Sequence, residues 1–161
     1  MLAAPPSIYS LSFTDFQGNR IPFSSFQGKK ILLVNVASGS PQVGQLAELE
    51  TLYQQNKDSV IIIAFPCNDF GHEADTDSAI RQIAFTQYNI HFILASRIAV
   101  RGNVRDGVYQ WLTDRTLNGV ATNEVGADFY KFLIDNSGHW MGVFSERVDP
   151  MSQTMKNAIK N

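Results

Sequence analysis

Two stretches of the chain are apolar at nearly every position, Ile31–Val36 and Val60–Phe65, and both are rich in β-branched residues. Continuous runs of this length are the pattern of strands buried on both faces, which predicts a parallel sheet covered by helices. Between them the apolar positions change period: Leu46, Leu49 and Leu52/Tyr53 fall on one helical face, which predicts a helix over Gln42–Gln55, with Ser40 as its N-cap and Pro41 in its first turn. A β-α-β unit follows. Downstream, Ile80, Ile83 and Ala84 predict a helix over Ser78–Tyr88 capped by Thr76 or Asp77, and Val108, Tyr109, Trp111 and Leu112 predict another over Asp106–Leu112. Phe129–Ile134 and Trp140–Phe144, joined by Asp135-Asn136-Ser137-Gly138, read as a hairpin. A last helix opens at Asp149-Pro150, with Met151, Met155 and Ile159 spaced by four. At the other end, Ser7–Phe13 and Arg20–Phe23 read as two short strands around a turn at Asp15–Asn19. The expected architecture is an α/β domain of three layers, α/β/α, behind an N-terminal hairpin.

Composition narrows the class. At 161 residues with 17% charged positions, the chain is one domain's worth of globular sequence, less charged than the roughly 25% of an average soluble domain. No repeat or linker divides it, so one domain over residues 1–161 is expected. A formal net charge of -2 supplies no bulk basic field for phosphates, which argues against a nucleic-acid partner. The longest apolar runs are far shorter than the roughly 20 residues of a membrane span, and Met1–Ser10 lacks the basic start and apolar stretch of a signal peptide. These features give the expectation of a cytoplasmic protein that does not engage a membrane. A single cysteine, Cys67, excludes an intrachain disulfide, a Cys-x-x-Cys pair and a multi-thiolate zinc site.

The specific motifs are Gly28-Lys29-Lys30-Ile31-Leu32-Leu33-Val34-Asn35-Val36-Ala37-Ser38, behind Ser7-Ile8-Tyr9, and Ala64-Phe65-Pro66-Cys67-Asn68-Asp69-Phe70-Gly71. Tyr109-x-Trp111-Leu112 and Phe129-x-Lys131-Phe132-Leu133-Ile134-Asp135 add two more. Together they resemble the glutathione peroxidase family, from about Ser7 to Ile159. That resemblance implies a thioredoxin-like fold, and a chemistry in which a peroxidatic cysteine or selenocysteine reduces hydroperoxides and glutathione or thioredoxin regenerates it. It also implies a catalytic tetrad, and here the chain departs from its family. The peroxidatic position aligns with Ser40, the glutamine with Asp69, and the Trp-Asn pair with Ala127 and Asp128. The resolving cysteine of the thioredoxin-dependent branch would fall near Ala84.

These substitutions change the chemistry. A serine hydroxyl offers no thiolate, and a helix terminus worth at best ~2 kcal/mol moves its pKa by about one unit. Ionised Asp69 and Asp128 accept hydrogen bonds where glutamine and asparagine could donate them. The expectation is therefore a peroxidase-deficient member with a binding or regulatory role, its partner a small cationic or polar ligand or a protein. No cofactor and no metal are expected, and the family reductants glutathione and thioredoxin are not supported by these residues. Rival readings are residual redox activity through Cys67, cation binding by Asp69, His72, Glu73, Asp75 and Asp128, or a different reaction at Ser40 with Asp69 and Asp128, including a Ser40–His72 hydrolase. Cys67 itself reads as a packing thiol, while His91 and His139 read as surface or strand-end residues. The short Thr113–Asn123 segment is like that of the compact, often monomeric branch, and Glu146 stands where the family commonly has proline.

Overall fold

The computed structural model describes residues 6–161, so the first five residues of the Met1–Ser10 segment lie outside it. The two apolar runs are adjacent strands, β3 (Lys30–Val36) and β4 (Val60–Pro66), after a hairpin of β1 (Ser12–Thr14) and β2 (Arg20–Pro22). β3 and β4 pair in parallel from Lys30↔Val60 to Val36↔Pro66. The chain returns between them through α1 (Gln45–Asn56). Beyond β4 come α2 (Asp77–Arg81), the two-residue strand β5 (Ile93–Leu94), α3 (Gly107–Thr113), α4 (Arg115–Asn118), β6 (Lys131–Ile134), β7 (Trp140–Phe144) and α5 (Gln153–Lys160). The five-stranded sheet runs β5-β4-β3-β6-β7, with β5 parallel to β4 and β6 and β7 antiparallel.

Strand alternation sorts the core into two layers, as a period of two requires. Leu32, Val34, Ile62, Ala64 and Leu133 face one layer, closed by Leu46, Leu49 and Leu52 of α1, Ile80 of α2, and Met155 and Ile159 of α5. Ile31, Leu33, Ile63, Phe65, Phe132 and Ile134 face the other, closed by Val108, Tyr109, Trp111 and Leu112 of α3 and by Ile8, Phe13 and Phe23. Tyr109 stands edge-on to both Phe65 and Phe132, at 5.7 and 6.0 Å between ring centroids. The three-layer α/β/α expectation holds.

Several boundaries differ from those the pattern predicts. Helix α1 starts at Gln45 rather than Gln42, and Ser40 is not its N-cap; Gly44 holds that position without a side-chain bond. The reason is a run of tight turns: Ser40 N–H donates to Ala37, Val43 to Ser40 and Gln45 to Gln42, each spanning three residues. Thr76 does cap α2, its hydroxyl accepting from Ala79 N–H at 3.2 Å. After Arg81, however, the helix widens into a π-helical segment over Gln82–Gln87. The Ser7–Phe13 strand is largely a 3-10 turn over Ile8–Ser10, capped by the Ser7 hydroxyl. Asp106 caps α3, while Ser152, not Asp149 or Pro150, caps α5. β6 begins at Lys131 because Phe129 takes a φ of 67°, outside the strand region.

Candidate functional site

Three segments meet where β3 and β4 end and β6 begins. Ala37–Ser40 leaves β3, Cys67–Asp69 leaves β4, and Ala127–Phe129 enters β6. Crevices at the carboxyl ends of parallel strands are the usual ligand sites of α/β folds. Asn35 ties these segments together: its backbone carbonyl accepts from Phe129 N–H at 2.6 Å and its Nδ2 donates to Ala127 O at 3.0 Å. That same Nδ2 lies 3.9 Å from Cys67 Sγ. Cys67 N–H in turn donates to Val36 O at 3.0 Å.

Each polar side chain here already has a structural use. Ser40 is 3% exposed, and its Oγ accepts from Gln42 N–H at 3.1 Å and donates to Gln42 Oε1 at 3.2 Å. Asp69 points its carboxylate at another loop, where Oδ2 accepts from Val100 N–H at 2.6 Å and Arg101 N–H at 3.2 Å. Asp128 is 2% exposed and hydrogen-bonded to half-exposed His72, Oδ2 to Nδ1 at 2.8 Å. Glu73 braces the β3 exit, its Oε1 accepting from the Ser38 amide and hydroxyl and from Ala74 N–H. Gly39 packs so closely that its N–H donates to His72 O at 2.8 Å and a Cβ would stand 2.7 Å from that oxygen.

The electrostatics are those of a closed, acidic corner. Burial raises the Asp128 carboxyl above its ordinary value; the His72 contact opposes this, and the charges of Glu73 and Asp69 add to it. Cys67 is fully buried, and its thiol is pushed up to about 12, chiefly by burial, with the Asp128 and Asp69 charges adding to it against the Asp69 backbone and Asn35 donors. Among the described residues, no group of three or more His, Cys, Asp or Glu is placed to hold a metal ion. Ser40 bonds to Gln42 rather than to His72, so the geometry does not assemble a Ser–His pair.

The glutathione peroxidase family's sequence model matches residues 8–113. A glutathione peroxidase-like peroxiredoxin of Saccharomyces cerevisiae is 35% identical over 156 residues, covering 94% of this chain and 96% of its own. Another, from Schizosaccharomyces pombe, is 36% identical over 155 residues, covering 95% and 96%. The chain belongs to the glutathione peroxidase family. The apo crystal structure of Trgpx superposes on 98% of each chain at a TM-score of 0.75 and 27% identity. A thioredoxin-family thiol:disulfide interchange protein of Chlorobium tepidum shares the fold at a TM-score of 0.67 and 16% identity, over 99% and 97% of the two chains. The thioredoxin-like fold expected from the motifs is thereby established.

In this glutathione peroxidase family member the four positions expected to match the tetrad, Ser40, Asp69, Ala127 and Asp128, lie on the three converging segments. Asp69 turns to the Val100–Arg101 loop, and Asp128 turns to His72. Ala84 is buried within the π-helical segment, and Asp75 is exposed. His91 is exposed and bonded to Glu50 at 2.7 Å, while His139 leans on Asp135. Glu146 offers its backbone carbonyl to Gln45 Nε2 at 2.7 Å. Sequence reasoning passed over Asn35, the brace role of Glu73, and Lys131, which is wholly buried with Nζ donating to Phe129 O at 2.9 Å and Ser145 O at 3.4 Å. A lone polar residue inside an apolar run, as Asn35 and Lys131 both are, is the signal that marks them.

Proposed function

We propose that this chain is a glutathione peroxidase family member that keeps the fold, has lost thiol-peroxidase chemistry, and works by binding. The observation that carries this reading is the state of its one thiol. Peroxide reduction needs a thiolate to attack the O–O bond, becoming a sulfenic acid as the alcohol or water departs. Cys67 has no solvent exposure and a thiol pushed up to about 12, so neither peroxide nor reductant meets a thiolate there. At position 40 stands a hydroxyl, and it sits within the run of tight turns that precedes Gln45 rather than on the first turn of α1, where the helix-end field is strongest.

The carboxylates support the same reading. Asp69 and Asp128 accept hydrogen bonds in this structure, and neither would stabilise a neighbouring anion. Within this reading the protein uses no cofactor, no metal and neither family reductant. It resides in the cytoplasm as a monomer, and its partner is a small ligand or protein instead of nucleic acid or membrane. No described helix is long and apolar enough to cross a membrane. The test is consumption of hydrogen peroxide and lipid hydroperoxides with glutathione or thioredoxin as reductant. Consumption should not exceed the protein-free rate, and turnover at rates typical of the family would overturn the reading.

A further inference from the structure

Five of the six lysines gather at one end of the sheet: Lys29 and Lys30 at the start of β3, Lys57 after α1, and Lys156 and Lys160 on α5. Contacts between these elements bring the group together in space. Lys30 Nζ donates to Ala158 O at 3.2 Å and Ile159 O at 2.7 Å, and Lys29 Nζ donates to Lys57 O at 3.5 Å. From Lys30 to Val36, β3 makes six rises of about 3.3 Å, so this end lies roughly 20 Å from the one that carries Ser40 and Asp128. A formal net charge of -2 conceals that separation.

These cations lack anionic partners. Among the described residues every ion pair uses an arginine or a histidine, and none uses a lysine. Lys30 serves the last carbonyls of α5, a common use of a cation at a helix C-terminus. Among the described residues, the ammonium groups with a protein acceptor are those of Lys29, Lys30 and Lys131, which leaves Lys57, Lys156 and Lys160 open. Two acids belong to this end. Asp135 is engaged by the Ser137 and His139 amides and by the His139 ring, while Asp58 is exposed beside Lys57. Between the ends of α1 and α5 opens a cleft of about 300 Å³ lined by Gln55, Asn56, Lys156, Ile159 and Lys160. Lys156 and Lys160 stand one helical turn apart on its wall.

We propose that this end of the sheet docks an acidic segment of a partner protein, with one carboxylate in the cleft beside Lys156 and Lys160 and its neighbours on Lys57 and Lys29. Ammonium groups on long, flexible stems suit carboxylates spaced along a chain. A compact phosphate favours the planar fork of arginine, and no arginine lines the cleft. Single-stranded nucleic acid adds base stacking on aromatic rings, and the cleft has none. A membrane-surface helix inserts an apolar face, whereas Met155 and Ile159 of α5 are buried in the core. The surface uses neither Ser40 nor Asp128, so it stands or falls independently of the loss of peroxidase chemistry.

Fluorescence anisotropy of a labelled peptide of alternating glutamate and glycine, titrated with the intact protein at pH 7.5, tests the assignment. The peptide should bind saturably at low salt, and its glutamine-glycine counterpart should not. Affinity should fall about tenfold or more as salt rises to physiological strength. Lys156→Glu combined with Lys160→Glu should weaken binding about tenfold or more. Lys156→Gln combined with Lys160→Gln removes the same cations without placing acid at the α5 C-terminus, and should weaken it about threefold or more. Arg20→Glu combined with Arg147→Glu is the control for general attraction: both arginines are exposed and lie away from this end, on β2 and beyond β7. That pair makes the same change in net charge and should leave binding within about twofold. Absence of saturable peptide binding, an equal loss in the arginine control, or preferential binding of tripolyphosphate, a single-stranded oligonucleotide or phosphatidylserine vesicles would overturn the proposal.

Discussion

Reactivity of Cys67 is the sharpest quantity the structure supplies. Its thiol is pushed from an ordinary 9.0 up to about 12, so at any pH below 9 the folded protein holds about a thousandfold less thiolate than an exposed cysteine would. Because the side chain has no solvent exposure, a reagent must also wait for the fold to open, which slows the reaction further. The assay is alkylation by iodoacetamide at pH 7.5, followed by mass spectrometry, in buffer and in guanidinium. The native rate should be at least about a thousandfold below the denatured rate. Peroxide treatment should leave the free thiol. Alkylation within tenfold of the denatured rate, or stoichiometric sulfenic acid, would refute the reasoning. The same shift has a thermodynamic face. A thiol whose pKa is raised on folding stabilises the protein fully below pH 9, and that contribution is lost as pH climbs toward 12.

Lys131 should show the opposite sign. Burial lowers its ammonium from 10.5 to about 8, so the unfolded chain binds more protons between those values and stability rises with pH across them, by about 3 kcal/mol in total. Urea unfolding at pH 7 and pH 10 checks this; Lys131→Met should flatten that segment of the pH profile and be neutral or stabilising at pH 7. Removing His72 strips buried Asp128 of its partner, so His72→Ala should cost about 1–3 kcal/mol at pH 7. That cost should shrink as the pH falls and Asp128 takes up a proton, which thermal melts at pH 7 and pH 4 resolve.

The parts of the fold that were legible in the sequence are those where burial alone dictates the pattern. β3 and β4 are covered on both faces, so every position is apolar and the strands announce themselves. The start of α1 misleads because Ser40-Pro41 has the chemistry of a helix entry, while three successive tight turns postpone the helix to Gln45. β5 is two residues long and has no period to detect. The site divides in the same way. Ser40, Asp69, Ala127 and Asp128 are expected as site positions from the motifs around them, which are local in sequence. The uses to which Asp69 and Asp128 are put depend on partners 31 and 56 residues away, and no local pattern encodes those. Lys131 likewise depends on Ser145, in a loop that the chain brings back only near its end.

The central claim is that Ser40, Asp69, Ala127 and Asp128 occupy the family's active site and that their side chains abolish its chemistry. Hydroperoxide turnover by Ser40→Cys alone, compared with Ser40→Cys combined with Asp69→Gln, Ala127→Trp and Asp128→Asn, tests it most directly. The account predicts no turnover by the unmodified protein, little by the single variant, and recovery in the fourfold variant with glutathione or thioredoxin. A folded fourfold variant that remains inert, or an unmodified protein that turns over peroxide as fast as the variant, would contradict it.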